Sequence, residues 1–179
     1  MSSNTNISPT AVTVRPVRPA DNEEVRAVFL AVQLEMLEKH GTSPEFRQMG
    51  EQFIEHVMNG DLAVPSEYYL QPRKRLWVAE SSDGKIAGMV AIDTTDDPAV
   101  AELFRMVVSS EHRRKGAGRL LLKAAEEWSV QQGYRAIKLR TTSIHVMAMS
   151  LYTSVGYVLK KTEDHGFINV MEFEKTIAP

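Results

Sequence analysis

The residues best suited to chemistry cluster in one segment, 107–119, which reads VVSSEHRRKGAGR. An apolar, β-like run over 103–108 stops at a polar turn. The cations Arg113, Arg114 and Lys115 follow, and Gly116, Ala117, Gly118 and Arg119 then open a helical pattern. Strand, glycine-containing turn and helix is an arrangement that binds phosphate. The first-turn N–H groups lack intrahelical partners, and the positive end of the helix macrodipole adds to them. Glycine removes the Cβ that would hold a pyrophosphate away from the backbone. With adjacent cations supplying charge, the segment points to a ligand that carries a diphosphate. The ATP-type loop GxxxxGK[ST] has no match in the chain. The dinucleotide fingerprint GxGxxG fails because its third glycine is replaced by Leu121. What remains is the pattern Arg113-x-x-Gly116-x-Gly118.

Composition narrows the classes. The chain has 179 residues, 43% hydrophobic and 25% charged, which suits one globular domain. Its net charge of −2 provides no basic field, so a nucleic-acid partner is not expected. Cysteine is absent, which excludes disulfides, thiolate metal sites and an acyl-cysteine intermediate. His40, His56, His112 and His165 are scattered without ligand spacing, so no metal is expected. No 18-residue apolar run exists, and the start is not a basic-then-apolar signal. The expectation is a soluble cytoplasmic protein without a membrane partner.

These residues need elements to position them. Residues 1–11 are polar and rich in Ser, Asn and Thr, which predicts a disordered segment ahead of a single domain over 12–176. Alternating Val12, Val14 and Val17 predict a first strand ended by Pro19. Asp21 with Glu24 reads as a capping box for a helix to His40, with Val25, Val28, Phe29, Val32 and Met36 on one stripe. Ser43-Pro44 opens a second helix to Asn59, followed by a loop over 61–75. Strands over 76–80 and 85–92 are joined through Asp83-Gly84, and a fourth strand spans 100–108. A helix over 116–132, a strand over 135–140, a helix over 145–155 and a last hairpin through Asp164-His165-Gly166 complete the order. The sum, β-α-α-β-β-β-α-β-α-β-β, is an α/β (α+β) mixed sheet with helices on both faces.

A second motif follows the first. Residues 141–157 read TTSIHVMAMSLYTSVGY, and Ala148, Leu151, Tyr152 and Val155 fall on one helical face. On residues alone this is a core-facing helix with a tyrosine at its edge. The two motifs together, [QR]-x-x-G-x-[GA] and A-x-x-L-Y-x-x-x-G-[FY], resemble the signatures of the GNAT family of N-acetyltransferases. With the element order, the resemblance covers roughly residues 12–174. The combination of SSEHRRKGAG with TTS and LY is most similar to the camello-type branch.

The resemblance implies the GNAT acyl-CoA N-acyltransferase fold, acetyl-CoA as cosubstrate, and transfer of its acetyl group to a primary amine by direct attack in a ternary complex. It places Met106, Val107 and Val108 beside the pantetheine arm, with the N–H of Val108 or Val107 as oxyanion donor and a local bulge or splay of the strand. Arg113, Arg114, Lys115, Gly116, Ala117, Gly118 and Arg119 match the pyrophosphate loop. Tyr152 matches the tyrosine near the coenzyme A sulfur, a candidate general acid. Glu102, six residues before Val108, matches the general-base glutamate of the family's histone acetyltransferases. With a period of two, Glu102, Phe104, Met106 and Val108 share one strand face. A solvated glutamate at a strand start is the plainer reading of the same residue. His145 stands where the family usually has an asparagine that binds the pantetheine backbone.

The acceptor site in this fold is built from the first two helices, the loop after them and the last hairpin. Glu35, Glu38, Glu67, Tyr68, Tyr69, Glu163 and Asp164 are candidate contacts for a cationic amine. The Arg73-Lys74-Arg75 run would instead favour an acceptor with a carboxylate. The acceptor stays open between a small amine, an amino acid and a protein lysine. Many family members are homodimers, which sets that expectation here. The competing reading is a non-catalytic acyl-CoA-binding sensor or scaffold of the same fold.

Overall fold

The computed structural model describes residues 12–178. The expected disorder of 1–11 therefore lies outside the described residues. Seven strands form one sheet in the order β1-β2-β3-β4-β5-β7-β6. They are β1 (Val12–Pro16), β2 (Arg75–Ser81), β3 (Ile86–Thr94), β4 (Val100–Val108), β5 (Ala136–Thr142), β6 (Val158–Asp164) and β7 (Asn169–Thr176). Every neighbouring pair is antiparallel except β4 and β5, which run parallel through the crossover helix α4 (Ala117–Gln131).

Helices cover both faces, as the element order requires. On one face lie α4 and α5 (Val146–Ser154), packed on Trp77, Val90, Leu103 and Leu139. The other face takes α1 (Asn22–His40) and α2 (Pro44–Asn59), where Val25, Phe29 and Val57 meet Leu76, Val78 and Met89. Strand alternation sorts the side chains: Leu76 and Val78 face α1, while Trp77 and Ala79 face α4. The stripe expected on α1 is present, with Val25 and Phe29 fully buried and Val28 and Val32 packed beside them.

The expected hairpins form. Gly84 and Gly166 adopt left-handed φ values of 81° and 80°, which a turn of that tightness needs. Ser43 caps α2 by accepting from the Phe46 N–H. Two local expectations differ. The loop over 61–75 contains a short helix, α3 (Pro65–Tyr68), opened by Pro65. Asp21 and Glu24 do not form a capping box around the start of α1. A single 3-10 turn over Pro19–Asp21 holds Asp21 in a helical conformation, where its side chain cannot reach the α1 amides. The Asp21 carboxylate accepts from Arg15 and from the Arg18 N–H, and Glu24 accepts from the Ile86 N–H, pinning α1 to β3.

Candidate active site

The site begins with one extra residue in β4. Against β3, Phe104 pairs with Ala91 and Val107 with Met89, so three steps on β4 oppose two on β3. The bulged residue is Arg105, left-handed at φ 54°. On its other edge, β4 pairs with β5 only from Val100 to Leu103. Beyond Leu139, β5 continues to Thr142 with β7 as its partner. The two parallel strands have parted, and residues 104–108 present an unpaired edge to the gap.

Alternation decides which groups point there. The Ser109 N–H donates to the Ala87 carbonyl on β3, 2.9 Å away. Val107 must then face β3 as well, while Val108 and Met106 turn their N–H groups to the open side. Of the two residues expected as oxyanion donor, Val108 turns its N–H to the open side and Val107 turns its N–H to β3. The bulge also inverts side-chain parity. Leu103, Met106 and Val108 pack on the α4 side, whereas Phe104 and Val107 pack on the α1 side. The expected single face for Glu102, Phe104, Met106 and Val108 is therefore corrected: Glu102 shares its face with Phe104 and Val107, not with Met106 and Val108.

The parting of β4 and β5 opens a cavity of about 500 Å³. Glu102, Arg140, His145 and Tyr152 all line it. Opposite them, α1 and α2 contribute Phe29, Met36, Phe46 and Phe53. Burial raises the Glu102 carboxyl above its ordinary value, opposed by the positive charges of Lys138 and Arg140. The Lys138 Nζ lies 3.9 Å from that carboxylate. The Tyr152 side chain sits edge-on to Tyr157, with ring centroids 5.8 Å apart, and is 4% exposed. Burial raises its phenol well above the usual range, so it holds its proton at neutral pH. The His145 ring shares a 2.8 Å hydrogen bond between Nδ1 and the Thr142 hydroxyl. Burial, with a smaller contribution from His40, lowers its pKa, which keeps the ring neutral at neutral pH.

The loop that leads into α4 is wound left-handed at two points. Arg114 and Gly116 are both left-handed, at φ 62° and 88°, and Gly116 is the N-cap of α4 without a side-chain cap. The first helical bond of α4 is the Leu120 N–H to the Gly116 carbonyl. The amides of Ala117, Gly118 and Arg119 precede it and are free for an anion. Gly118 serves close packing: a Cβ there would lie 2.9 Å from Leu151 and 3.2 Å from Met106. Arg119 reaches Ser154 on α5 at 3.0 Å.

The model of the Acetyltransferase (GNAT) family matches residues 37–157. This chain belongs to that family. Human N-acetyltransferase 8 is 36% identical over 116 residues, which are 62% of this chain and 50% of that protein. Human N-acetylaspartate synthetase is 32% identical over 113 residues, covering 63% of this chain and 37% of that protein. The matched stretch is thus half or less of the length of either relative. Among solved structures, an acetyltransferase of GNAT family from Staphylococcus aureus superimposes with a TM-score of 0.73 at 17% identity, over 93% of this chain and 99% of that one. An aminoglycoside 6'-N-acetyltransferase complexed with coenzyme A gives a TM-score of 0.67 at 15% identity, over 93% and 98%. The mixed seven-stranded sheet is the GNAT fold.

Within that GNAT frame, Glu102, Met106, Val107, His145 and Tyr152 line one cavity. Arg113, expected among the cofactor contacts, opens the loop and is engaged by neighbours. Its guanidinium is bidentate to Glu35 on α1 at 2.6 and 2.7 Å, and its Nε donates to the Val108 carbonyl at 3.0 Å. Glu35 is thereby engaged as well. The Arg73-Lys74-Arg75 run does not line the cavity. Arg73 stacks on Tyr134, Lys74 pairs with Asp93 and Arg75 lies over Trp128, so these cations brace the scaffold. Tyr69 donates to Asp61, and Tyr68 to Asp93. Sequence reasoning missed Arg105 and Arg140 in the cavity wall. An arginine inside the apolar run 103–108 is the signal that marks Arg105. Among the described residues no cluster of three or more His, Cys, Asp or Glu could hold a metal, and no helix is long and apolar enough to cross a membrane.

Proposed function

We propose that this protein is an acetyl-CoA-dependent N-acetyltransferase that acts on a primary amine by direct attack. The observation that carries the reading is the parting of β4 from β5, because it opens the free β4 edge at Met106 onto the cavity that Glu102 and Tyr152 also line. The residues suit coenzyme A. Amides of the loop 114–119, with Arg114 and Lys115, take the pyrophosphate. The open edge of β4 and the neutral His145 ring receive the pantetheine amides.

Glu102 accepts the proton of the incoming ammonium group, directly or through water. The freed nitrogen lone pair forms the C–N bond at the thioester carbonyl carbon. The open-side N–H groups of Met106 and Val108 stabilise the charge that develops on the carbonyl oxygen. As the C–S bond breaks, the Tyr152 hydroxyl gives its proton to the departing sulfur. The nitrogen of the adduct gives its second proton to solvent as the C–S bond breaks, solvent returns the Glu102 proton to Tyr152, and the products are an N-acetylated amine, free coenzyme A and one released proton. The human relative named N-acetylaspartate synthetase suggests an amino acid as one acceptor to include in a screen.

Thiol release from acetyl-CoA, measured across small amines, amino acids and lysine peptides, tests the proposal. Acceptor-dependent release of coenzyme A is the expected result. Stabilisation by acetyl-CoA without release for any acceptor would replace the enzyme by a binding module.

A further inference from the structure

Arg105 is the one non-glycine residue within a strand that has a positive φ among the described residues, at 54°. Side chains avoid this region because the Cβ crowds the following carbonyl. Something must hold the turn. The Arg105 guanidinium grips Asp61 with both ends, Nε to Oδ2 at 2.8 Å and Nη2 to Oδ1 at 2.7 Å. The two side chains are 13% and 10% exposed. Asp61 also accepts from the Tyr69 hydroxyl. The guanidinium lies 5.7 Å from the Phe53 ring centroid and 5.4 Å from that of Phe104.

Asp61 is itself firmly seated. It follows the last turn of α2, and the next residue, Leu62, is fully buried. Arg26 on α1 donates to the carbonyls of Met58 and Leu62 on either side. An anchored acid thus pulls on the bulged residue from 44 positions away in the chain. The peptide plane that follows Arg105 carries the Met106 N–H, one of the two amides turned to the open edge of β4.

We propose that Asp61 and Arg105 are positioning residues: the pair holds the β4 bulge in its left-handed turn and so aims the Met106 amide into the cleft. Asp61 lies outside the cavity lining, and the Arg105 side chain is held by it. The pair commits the Nε and one Nη2 hydrogen of the guanidinium to Asp61. The inference rests on the acetyltransferase reading for its kinetic test only, since the conformation of the bulge can be read without turnover.

Glycine separates this role from a structural one, because glycine enters the left-handed region without strain. Arg105→Ala loses the clamp and keeps the strain, whereas Arg105→Gly loses the clamp and needs none. Arg105→Ala should lower kcat by about 10²-fold, as removal of one oxyanion donor does. Arg105→Gly should recover about tenfold of that, with KM for acetyl-CoA changed less than about threefold in both. Asp61→Asn should fall like Arg105→Ala, and the double variant Asp61→Asn/Arg105→Gly should regain part of the loss. The double variant decides the matter if Arg105→Ala does not fold. An unchanged kcat in Arg105→Ala or Asp61→Asn overturns the inference. So does a glycine variant no faster than alanine, or a double variant no faster than Asp61→Asn. If the wild-type protein turns over no acceptor, the proposed activity fails separately, and 15N spectra decide. The Met106 and Val107 amide resonances should then move in Asp61→Asn and return in the double variant; equal positions in both overturn the clamp.

Discussion

Replacing Glu102 by glutamine tests the base assignment through its pH dependence. An alkylamine has a pKa near 10, so about one molecule in 10³ is neutral at pH 7. With Glu102 ionised and the amine protonated, the pair carries the same total charge across the whole interval between their pKa values. The wild-type kcat/KM should therefore be flat there. Glutamine cannot take the proton, and the variant must wait for amine that is already neutral. Its kcat/KM should rise tenfold per pH unit until the amine titrates. The expected deficit at pH 7 is about 10²–10³-fold, or about 2.7–4.1 kcal/mol, closing towards pH 10.

The structure sets where the acidic limb falls. A unit pair at the 3.9 Å between Lys138 and Glu102 is worth about 4 kcal/mol at an effective dielectric near 20 and about 1 kcal/mol in water. Lys138 is one-third exposed, which favours the smaller figure, and burial wins. The acidic limb should lie above the ordinary carboxyl value of 4.5, and Lys138→Met should move it further up. A raised carboxyl pKa contributes stability below 4.5, and that stability is lost as pH rises through the folded value. At pH 7 the buried charge is a cost, so Glu102→Gln should melt no lower than wild type. The assay is thiol release against pH with the best acceptor. A deficit equal at every pH, or none, would refute the assignment.

Three further outcomes are expected. Tyr152→Phe should lower kcat by about 10²-fold while the Kd for acetyl-CoA from calorimetry stays put, because the hydroxyl acts on the leaving sulfur; equal loss in both would make the residue a binding group. Gly116→Ala meets no atom within 4 Å, so its penalty is backbone strain at φ 88°, about 1–2 kcal/mol and about 2–8 °C in Tm, with weaker coenzyme A binding; an unchanged Tm would show that the loop tolerates another conformation. Hydrogen bonds from Arg15 hold the Asp21 carboxyl below its ordinary 3.8, so it stabilises the fold above that value and this is lost as pH falls through the folded pKa. Asp21→Asn should cost about 1.5–3 kcal/mol by urea unfolding at pH 7, with the gap to wild type closing in acid; a pH-independent gap would contradict it.

The parts of the fold legible in the sequence are those that local chemistry determines. Gly116 and Gly118 mark the turn into α4 because a left-handed cap and a close helix approach need glycine. Asp83-Gly84 and Asp164-His165-Gly166 mark hairpins for the same local reason. The illegible parts depend on partners far along the chain. The Asp21–Glu24 spacing fits a capping box, yet both carboxylates go to groups that only the folded sheet supplies, Arg15 on β1 and the Ile86 N–H on β3. The motif marks Arg113, but its partner Glu35 lies 78 residues away, and no local pattern announces that pair. Arg105 occupies a left-handed position that sequence preference assigns to Gly or Asn, so no turn residue announces the bulge.

That one unannounced residue explains why period-two reasoning placed Glu102 with Met106 and Val108. A bulge breaks the alternation at a single point, and everything after it changes face. The same break turns the Met106 side chain towards α4, where Gly118 leaves room for it, and leaves Glu102 in the cavity wall on the other face. The strand edge separates in parallel: before the bulge β4 bonds to β5, and after it the edge is open. The open amides and the free edge therefore depend on one conformational irregularity, and the proposed base stands just before it. Local propensity at Arg105 opposes it and the buried pair with Asp61 sustains it, which is why Arg105→Gly should restore rate where the pair is lost.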